Sequence, residues 1–125
     1  MKLPKQAASV CRSRRFRQRM LGSVFPSGTC GRGSYEHLIR DSYGNADFTD
    51  ACRNHDRCYD TCGKNKEHCD DVFKSELHRV CNRAYSSPWH VVQRRLCKET
   101  ANTYHSAVNR MGGDAYREAQ RASGC

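Results

Sequence analysis

The chain has 125 residues, a formal net charge of +9 and 37% hydrophobic residues. This length corresponds to one domain with a modest apolar core, and no stretch approaches the roughly 20 apolar residues of a membrane-spanning helix. Nine cysteines in so small a chain predict a disulfide framework made in an oxidising compartment, with reduced thiols or a metal cluster as the alternative. Because nine is odd, one thiol is free or pairs between chains, and we expect it to be Cys125.

The N-terminal segment is strongly basic. Residues 1–20 contain seven Lys and Arg side chains and no acidic one, so we predict a basic arm over residues 1–21 and a domain over residues 22–125. Such an arm favours phosphates on nucleic acid or on an anionic membrane surface, and a solvated tail is the alternative. The arm has no apolar run typical of a signal peptide, so we expect a leader removed before residue 1, export by another route, or a module cut from a longer chain.

The rest of the chain reads as mainly helical. Residues 22–34 are rich in Gly, Ser and Pro and predict a loop, residues 43–45 predict a turn, and no segment predicts a convincing strand. Asp47 or Thr49 is suited to cap a first helix, and Gly63 is suited to end it. Helical spacing of apolar residues predicts further helices. The predicted helices span about residues 48–62, 69–85, 91–111 and 114–122.

Spacing also predicts which residues face the core. In the second helix the apolar positions at helical spacing are Val72, Phe73, Leu77 and Val80. In the third helix the inward candidates are Val92, Leu96, Thr103, Ala107 and Met111.

One stripe of the first helix carries candidate chemistry. Residues three and four apart share a helix face, so Cys52, His55, Asp56 and Tyr59 lie on one side. An imidazole is the usual general base for water activation, and a carboxylate is a hard oxygen ligand suited to Ca²⁺.

Two other segments complete the pattern. Alternating glycines in residues 29–33 let backbone carbonyls turn toward one point, and backbone carbonyls are Ca²⁺ ligands. A short loop between the first two helices predicts antiparallel packing, which places Asp70 opposite His55, where a carboxylate fixes the tautomer of an imidazole. Asp71 and Glu76 are other possible partners of His55, and first-turn helix acids are the alternative role of Asp70 and Asp71.

Together, the Cys-x-x-His-Asp-x-Cys-Tyr motif of residues 52–59, the upstream Cys-Gly-x-Gly loop and the downstream Cys-Asp pair resemble the secreted phospholipase A2 family. The resemblance covers about residues 29–85. Within this segment the sequence is similar to the bee-venom type of the family, while residues 81–108 are similar to the bacterial branch. This chain departs from many relatives at Ala51, which precedes a single cysteine, and at Ser34, which follows the loop.

The resemblance implies a mainly α, disulfide-bonded domain with two antiparallel active-site helices, a Gly-rich Ca-binding loop and a further C-terminal helix. It implies His55 as general base, Asp70 as the residue that orients it and Tyr59 as support. It implies a Ca²⁺ ion held by Asp56 and the carbonyls of Thr29, Gly31 and Gly33, with the Gly31 N–H near the oxyanion. The implied bridges are Cys30–Cys52, Cys58–Cys69 and Cys81–Cys97, with Cys11, Cys62 and Cys125 unassigned.

The implied activity is Ca²⁺-dependent hydrolysis of the sn-2 ester of glycerophospholipids by a secreted or otherwise exported enzyme. The expected partner is an anionic phospholipid surface, with no nucleic acid. One alternative is a non-catalytic toxin or membrane- or receptor-binding relative. Another is a Cys/His zinc module that binds nucleic acid, using Cys52, His55, Cys58, Cys62, His68 and Cys69. A third is a core histidine at position 55. Three aromatic residues have two alternative roles, in which they either line the lipid entrance or pack in the core. They are Phe25, Tyr35 and Trp89, and we expect each of them to pack in the core.

Overall fold

The computed structural model describes Cys30 and residues 39–125. Several predicted features lie outside these described residues. They are the basic arm with its boundary at residue 21, most of the glycine-rich loop, and the residues Cys11, Phe25 and Tyr35. The elements in chain order are β1 (Ser42–Tyr43), β2 (Ala46–Asp47), α1 (Thr49–Asp60), α2 (Lys66–Ala84), a 3-10 helix (Pro88–His90), α3 (Val91–Met111) and α4 (Gly113–Ala122). The prediction of a mainly α, disulfide-bonded domain is confirmed.

Helix α1 begins after Phe48, which is its N-cap and makes no side-chain cap hydrogen bond, so the prediction that Asp47 or Thr49 caps the helix is wrong. The Asp47 carboxylate accepts the backbone N–H of Thr49 at 2.9 Å, and Asp50 lies in the first turn of the helix, where a negative charge is favourable. The Thr49 hydrogen bonds lower the pKa of the Asp47 carboxyl. The helix ends at Asp60, two residues before the predicted end, and Gly63 follows with a φ of +80°.

Helix α2 begins three residues earlier than predicted. Asn65 is its N-cap, and its side chain accepts the N–H of His68, which is the usual reason for a helix to start after an asparagine. The helix runs antiparallel to α1, as predicted. Two contacts at successive levels show this direction: Cys58 is bonded to Cys69, and the Asn54 amide donates to the Glu76 carboxylate at 3.1 Å.

A small hairpin precedes α1, although the sequence predicted no strand. Strands β1 and β2 pair antiparallel with Ser42 opposite Asp47 and Tyr43 opposite Ala46. Gly44 has a φ of +53° in the predicted turn. The Tyr85 hydroxyl fills this turn, since it donates to the Tyr43 carbonyl and accepts the Asn45 N–H, each at 3.1 Å. Tyr85, which directly follows α2, therefore holds the hairpin in place. Each strand has only two residues, which is too short for an alternating pattern to be recognised in the sequence.

The core confirms part of the predicted inward pattern and corrects the rest. In α2, Phe73 and Leu77 are buried and Val80 packs against the core, whereas Val72 is exposed. In α3 the predicted face is wrong apart from Ala107, which packs against the core. Val92, Leu96, Thr103 and Met111 are exposed, and the buried residues are Cys97, Ala101, Tyr104 and Val108.

The rotation of α3 is set by a disulfide. Cys97 is bonded to Cys81 of α2, so the face of α3 that carries Cys97 turns toward α2. Leu96 precedes Cys97 by one residue, which corresponds to a rotation of about 100° around the helix. Trp89 is also exposed, at 87%, and the expectation that it packs in the core is wrong.

The four disulfides are Cys30–Cys52, Cys58–Cys69, Cys62–Cys125 and Cys81–Cys97. Three of them confirm the pairing implied by the resemblance. The expectation that Cys125 is the unpaired thiol is wrong, because Cys125 ties the chain end to Cys62. Cross-links of this kind stabilise a small domain by restricting its unfolded chain. Among the described helices, none has the length and apolar character needed to span a bilayer.

Substitution of the hairpin glycine tests the Tyr85 contact. Gly44→Ala should destabilise the fold because it combines a left-handed backbone with a Cβ that would collide with the Tyr85 hydroxyl oxygen. Gly63→Ala is the matched control: it has the same sign of φ and no atom within 4 Å of the added Cβ. Denaturant unfolding should show a loss of about 1 to 2 kcal/mol for the control and a larger loss for Gly44→Ala. Equal losses would mean that the Tyr85 contact contributes nothing.

Candidate functional site

His55 and Asp70 form the centre of the candidate site. His55 lies in the middle of α1 and is 5% exposed, and Asp70 lies in the first half of α2 and is fully buried. The His55 Nε2 and Asp70 Oδ1 atoms are 2.7 Å apart. The predicted partnership of the two side chains is therefore present in the geometry, because the antiparallel helices bring residues 15 positions apart face to face.

Asp70 receives hydrogen bonds from two further side chains. The Tyr59 hydroxyl donates to Oδ1 at 2.7 Å, and the Lys66 ammonium donates to Oδ2 at 2.7 Å. Burial raises the pKa of the Asp70 carboxyl, but the hydrogen bonds from His55, Lys66 and Tyr59 outweigh it, so the net pKa is lowered. The carboxylate is therefore ionised at neutral pH.

An ionised carboxylate determines the tautomer of His55. Such a group can only accept hydrogen bonds, so Nε2 carries the proton in the contact with Asp70 and Nδ1 of the neutral ring keeps its lone pair. Two aromatic rings hold the imidazole, with centroids 4.3 Å away for Tyr59 and 4.6 Å for Phe73. The ring is thus fixed in orientation by one polar and two aromatic contacts.

The other acids considered as partners of His55 are engaged elsewhere. Asp71 pairs with Nε2 of His105 on α3 at 3.1 Å, and Glu76 accepts from Asn54. Of the three acids considered, Asp70 is the one in contact with His55.

Lys66 is the part of the site that sequence reasoning missed. Its ammonium bridges Asp70 and the end of α3, where it donates to the carbonyl oxygens of Val108 at 3.0 Å and Asn109 at 3.2 Å. A lysine four residues before an aspartate on a helix is the signal that could have found the pair. The contact of Lys66 with α3 joins residues more than 40 positions apart, and no local sequence pattern indicates it.

Tyr59 and the α3–α4 junction meet closely. A Cβ at Gly112 would lie 2.8 Å from the Tyr59 hydroxyl oxygen and would also collide with the Val108 carbonyl. Gly112 therefore leaves space for the hydroxyl that bonds Asp70.

Asp56 is the described member of the predicted Ca²⁺ ligand set. Asp56 directly follows His55 on α1 and is half-buried. Cys52 lies one helical turn before Asp56. The disulfide from Cys52 holds Cys30 against α1, and the Cys30 N–H donates to the Asp41 carboxylate at 2.8 Å. Thr29, Gly31 and Gly33 lie outside the described residues.

The zinc alternative does not fit the structure. Cys52, Cys58, Cys62 and Cys69 are all in disulfides and are not available as thiolate ligands. Within Cys30 and residues 39–125, no group of three or more His, Cys, Asp or Glu side chains is arranged to hold a metal ion. The expected Ca²⁺ site differs in kind, because three of its four predicted protein ligands are backbone carbonyls.

The sequence is similar to that of proteins of a known family. Residues 17–125 match the family described as group XII secretory phospholipase A2 precursor. The group XIIA secretory phospholipase A2 of Homo sapiens is 32% identical over 98 residues, which cover 78% of this chain and 52% of the relative. The corresponding protein of Mus musculus is 32% identical over 98 residues, with 78% and 51% covered.

A third relative is the group XIIB secretory phospholipase A2-like protein of Mus musculus, 34% identical over 77 residues, with 61% of this chain and 40% of the relative covered. The chain spans about half the length of the curated relatives it matches, or less. No solved structure gives a significant match.

The Asp70 carboxylate predicts a specific acid dependence of stability. Its pKa is lower in the folded than in the unfolded state, so its contribution is present above the unfolded pKa of about 4 and is lost as pH falls through the folded pKa. Asp70→Asn should be less stable at pH 7 and should lose less free energy of unfolding between pH 7 and pH 3, measured by denaturant titration. Asp71→Asn, which removes an exposed carboxylate, should change stability at pH 7 by less than about 0.5 kcal/mol. An unchanged acid slope in Asp70→Asn would contradict the assignment.

Removal of the Lys66 ammonium tests the link between α2 and α3. Lys66→Met keeps the aliphatic stem but leaves a buried carboxylate and the α3 carbonyls without their cation, and should cost roughly 2 to 4 kcal/mol. Lys64→Met is the matched control because Lys64 is exposed. Thermal unfolding should separate the two variants clearly. Equal stability of both variants would mean that the ammonium contributes no net stabilisation.

Proposed function

Because the chain belongs to the group XII secretory phospholipase A2 family, we propose that it hydrolyses the sn-2 ester of glycerophospholipids in a Ca²⁺-dependent reaction with His55 as general base. The products are a free fatty acid and a lysophospholipid. The observation that carries the proposal is the 2.7 Å contact between His55 Nε2 and the ionised Asp70.

The chemistry of His55 follows from this contact. Nδ1 takes a proton from a water molecule, directly or through a second water, and the water oxygen attacks the ester carbonyl. Asp70 keeps the proton on Nε2 and stabilises the imidazolium that forms. Tyr59 and Lys66 keep Asp70 ionised and in place. The imidazolium then returns its proton to the leaving alkoxide, so no covalent intermediate is required.

The metal assignment rests on the donor chemistry. Asp56 and the carbonyls of Thr29, Gly31 and Gly33 would hold Ca²⁺, which is a set of hard oxygen ligands of the kind that Ca²⁺ prefers. The Cys30–Cys52 bridge supports the assignment, because it ties the loop to the helix that carries Asp56. When bound, Ca²⁺ supplies positive charge that polarises the ester carbonyl and balances the developing oxyanion. The Gly31 N–H would add a hydrogen bond to the oxyanion.

We also propose that the protein is exported and acts on anionic membrane surfaces. Four disulfides favour an oxidising compartment, and the relatives are named as secretory proteins. The net charge of +9 favours anionic over zwitterionic lipid.

The second candidate function is that of a non-catalytic lipid- or receptor-binding protein. The observation that favours it is the name of the group XIIB relative, which is called phospholipase A2-like.

The decisive experiment measures fatty-acid release from mixed phosphatidylglycerol/phosphatidylcholine vesicles with excess Ca²⁺ and then with EGTA. We expect release from the sn-2 position that requires Ca²⁺, and a drop of about 100-fold or more in His55→Gln. His68→Gln is the control, because it removes an exposed imidazole at the start of α2. Asp56→Asn should lose Ca²⁺ binding, and Asp50→Asn, an exposed acid of the same helix, should keep it.

Two outcomes would contradict parts of the proposal. Full activity of His55→Gln would remove the general base. No release by a folded protein that still binds Ca²⁺ would favour the non-catalytic candidate.

A further inference from the structure

The side of α3 that faces away from the core is unusually apolar at its N-terminal end. Trp89 is 87% exposed, Val92 is 65% exposed and Leu96 is 44% exposed, with Val91 beside them at 48%. Val92 and Leu96 are four residues apart on α3 and share one face of the helix, and Trp89 lies in the 3-10 helix that leads directly into α3. We call Trp89, Val92 and Leu96 the α3 ridge. Single exposed apolar residues are ordinary on protein surfaces, but a contiguous group marks an interaction site.

The ridge is part of a well-anchored segment. The Ser87 side chain accepts the N–H of Trp89 at 3.3 Å, and Pro88 opens the 3-10 helix. The Arg94 guanidinium donates to the Tyr85 carbonyl at 2.6 Å, and Cys97 is bonded to Cys81 directly after the ridge. These contacts hold the backbone on the core side, so the exposure of Trp89 is a feature of the folded protein.

The charge around the ridge indicates what covers it. Between Glu76 and Glu99 the sequence contains five Lys and Arg residues and no acidic residue. Arg95 is exposed and lies between Val92 and Leu96 in the sequence, and Glu99 begins the following turn. An apolar strip with a tryptophan and flanking cations is the pattern of a helix that lies in the plane of an anionic lipid interface. The indole ring suits this boundary because it is apolar with one polar N–H group.

We propose that the α3 ridge is a docking surface for anionic phospholipid, with Trp89 entering the acyl boundary and Arg95 contacting lipid phosphates. The inference rests on the proposed function for the class of partner, but it does not depend on catalysis. It also differs from the proposed role of the basic arm, because the ridge adds apolar burial to charge attraction. Apolar burial is less sensitive to salt than charge attraction is.

The sequence offers a direct probe, since Trp89 is its single tryptophan. Intrinsic fluorescence should be measured with vesicles of ether-linked phosphatidylglycerol or ether-linked phosphatidylcholine in EGTA, where no ester can be hydrolysed. We expect a blue shift with phosphatidylglycerol and quenching by a brominated-chain lipid, because the indole leaves water. Vesicle co-sedimentation reports total binding in the same samples.

Two variants separate the ridge from other surfaces. Val92→Asn combined with Leu96→Gln keeps the fluorophore and should weaken vesicle binding by about tenfold or more. Val72→Gln is the matched control, because it replaces an exposed valine of α2 that lies outside the ridge. All these side chains are exposed, and far-UV circular dichroism checks that the variants fold.

The outcomes are distinct. Co-sedimentation without a blue shift would overturn the proposal, because the protein would then bind through another surface. A blue shift that depends on protein concentration without lipid would overturn it in favour of self-association. Failure to bind either vesicle would also overturn it, while hydrolysis of a dispersed short-chain ester would leave the proposed function standing. Vesicle binding with a blue shift, but no hydrolysis of ester lipid, would support the ridge and count against the enzyme.

Discussion

The buried Asp70 carboxylate is the interaction on which the rest of the structure depends. An ionised carboxylate without partners is very costly to remove from water, and here it is fully buried. Three donors satisfy it: His55 and Tyr59 from α1, and Lys66 from its own helix. Because Lys66 also donates to carbonyls at the end of α3, one negative charge connects the three longest helices. The relative positions of these helices are therefore set by polar chemistry as well as by apolar packing.

The same carboxylate links stability to the proposed chemistry. A histidine that accepts protons during a reaction needs a fixed tautomer and a fixed ring plane, and Asp70 provides the first while Tyr59 and Phe73 help to provide the second. Since these contacts exist before any substrate binds, the imidazole pays no cost of ordering at the moment of reaction. The disulfides reinforce this arrangement, because Cys58–Cys69 closes the loop between the two helices that carry the pair.

The ridge and the core illustrate how a small domain divides its apolar residues. The buried residues of α3 are Cys97, Ala101, Tyr104 and Val108, whereas Trp89, Val92 and Leu96 are exposed at the surface. A hydropathy pattern counts all of these residues as core candidates and cannot rank the two faces. The Cys81–Cys97 bridge decides between them, because a covalent bond of fixed geometry outweighs the preference of individual apolar side chains for burial. The exposed face is then available for a partner.

The sequence by itself determined the local features of this protein. Helix breakers and the spacing of apolar residues located four helices to within about three residues, and the spacing of Cys52, His55, Asp56 and Tyr59 placed the candidate chemistry on one helix. These features depend on residues close together in the chain, where propensity and periodicity act directly. Tertiary structure alone decided the rest: the bridge from Cys62 to Cys125, the hairpin held by Tyr85, the rotation of α3 and the contact of Lys66 with its end. Each of these joins residues at least 16 positions apart, and a single sequence contains no period or local propensity that reports which distant residues will meet.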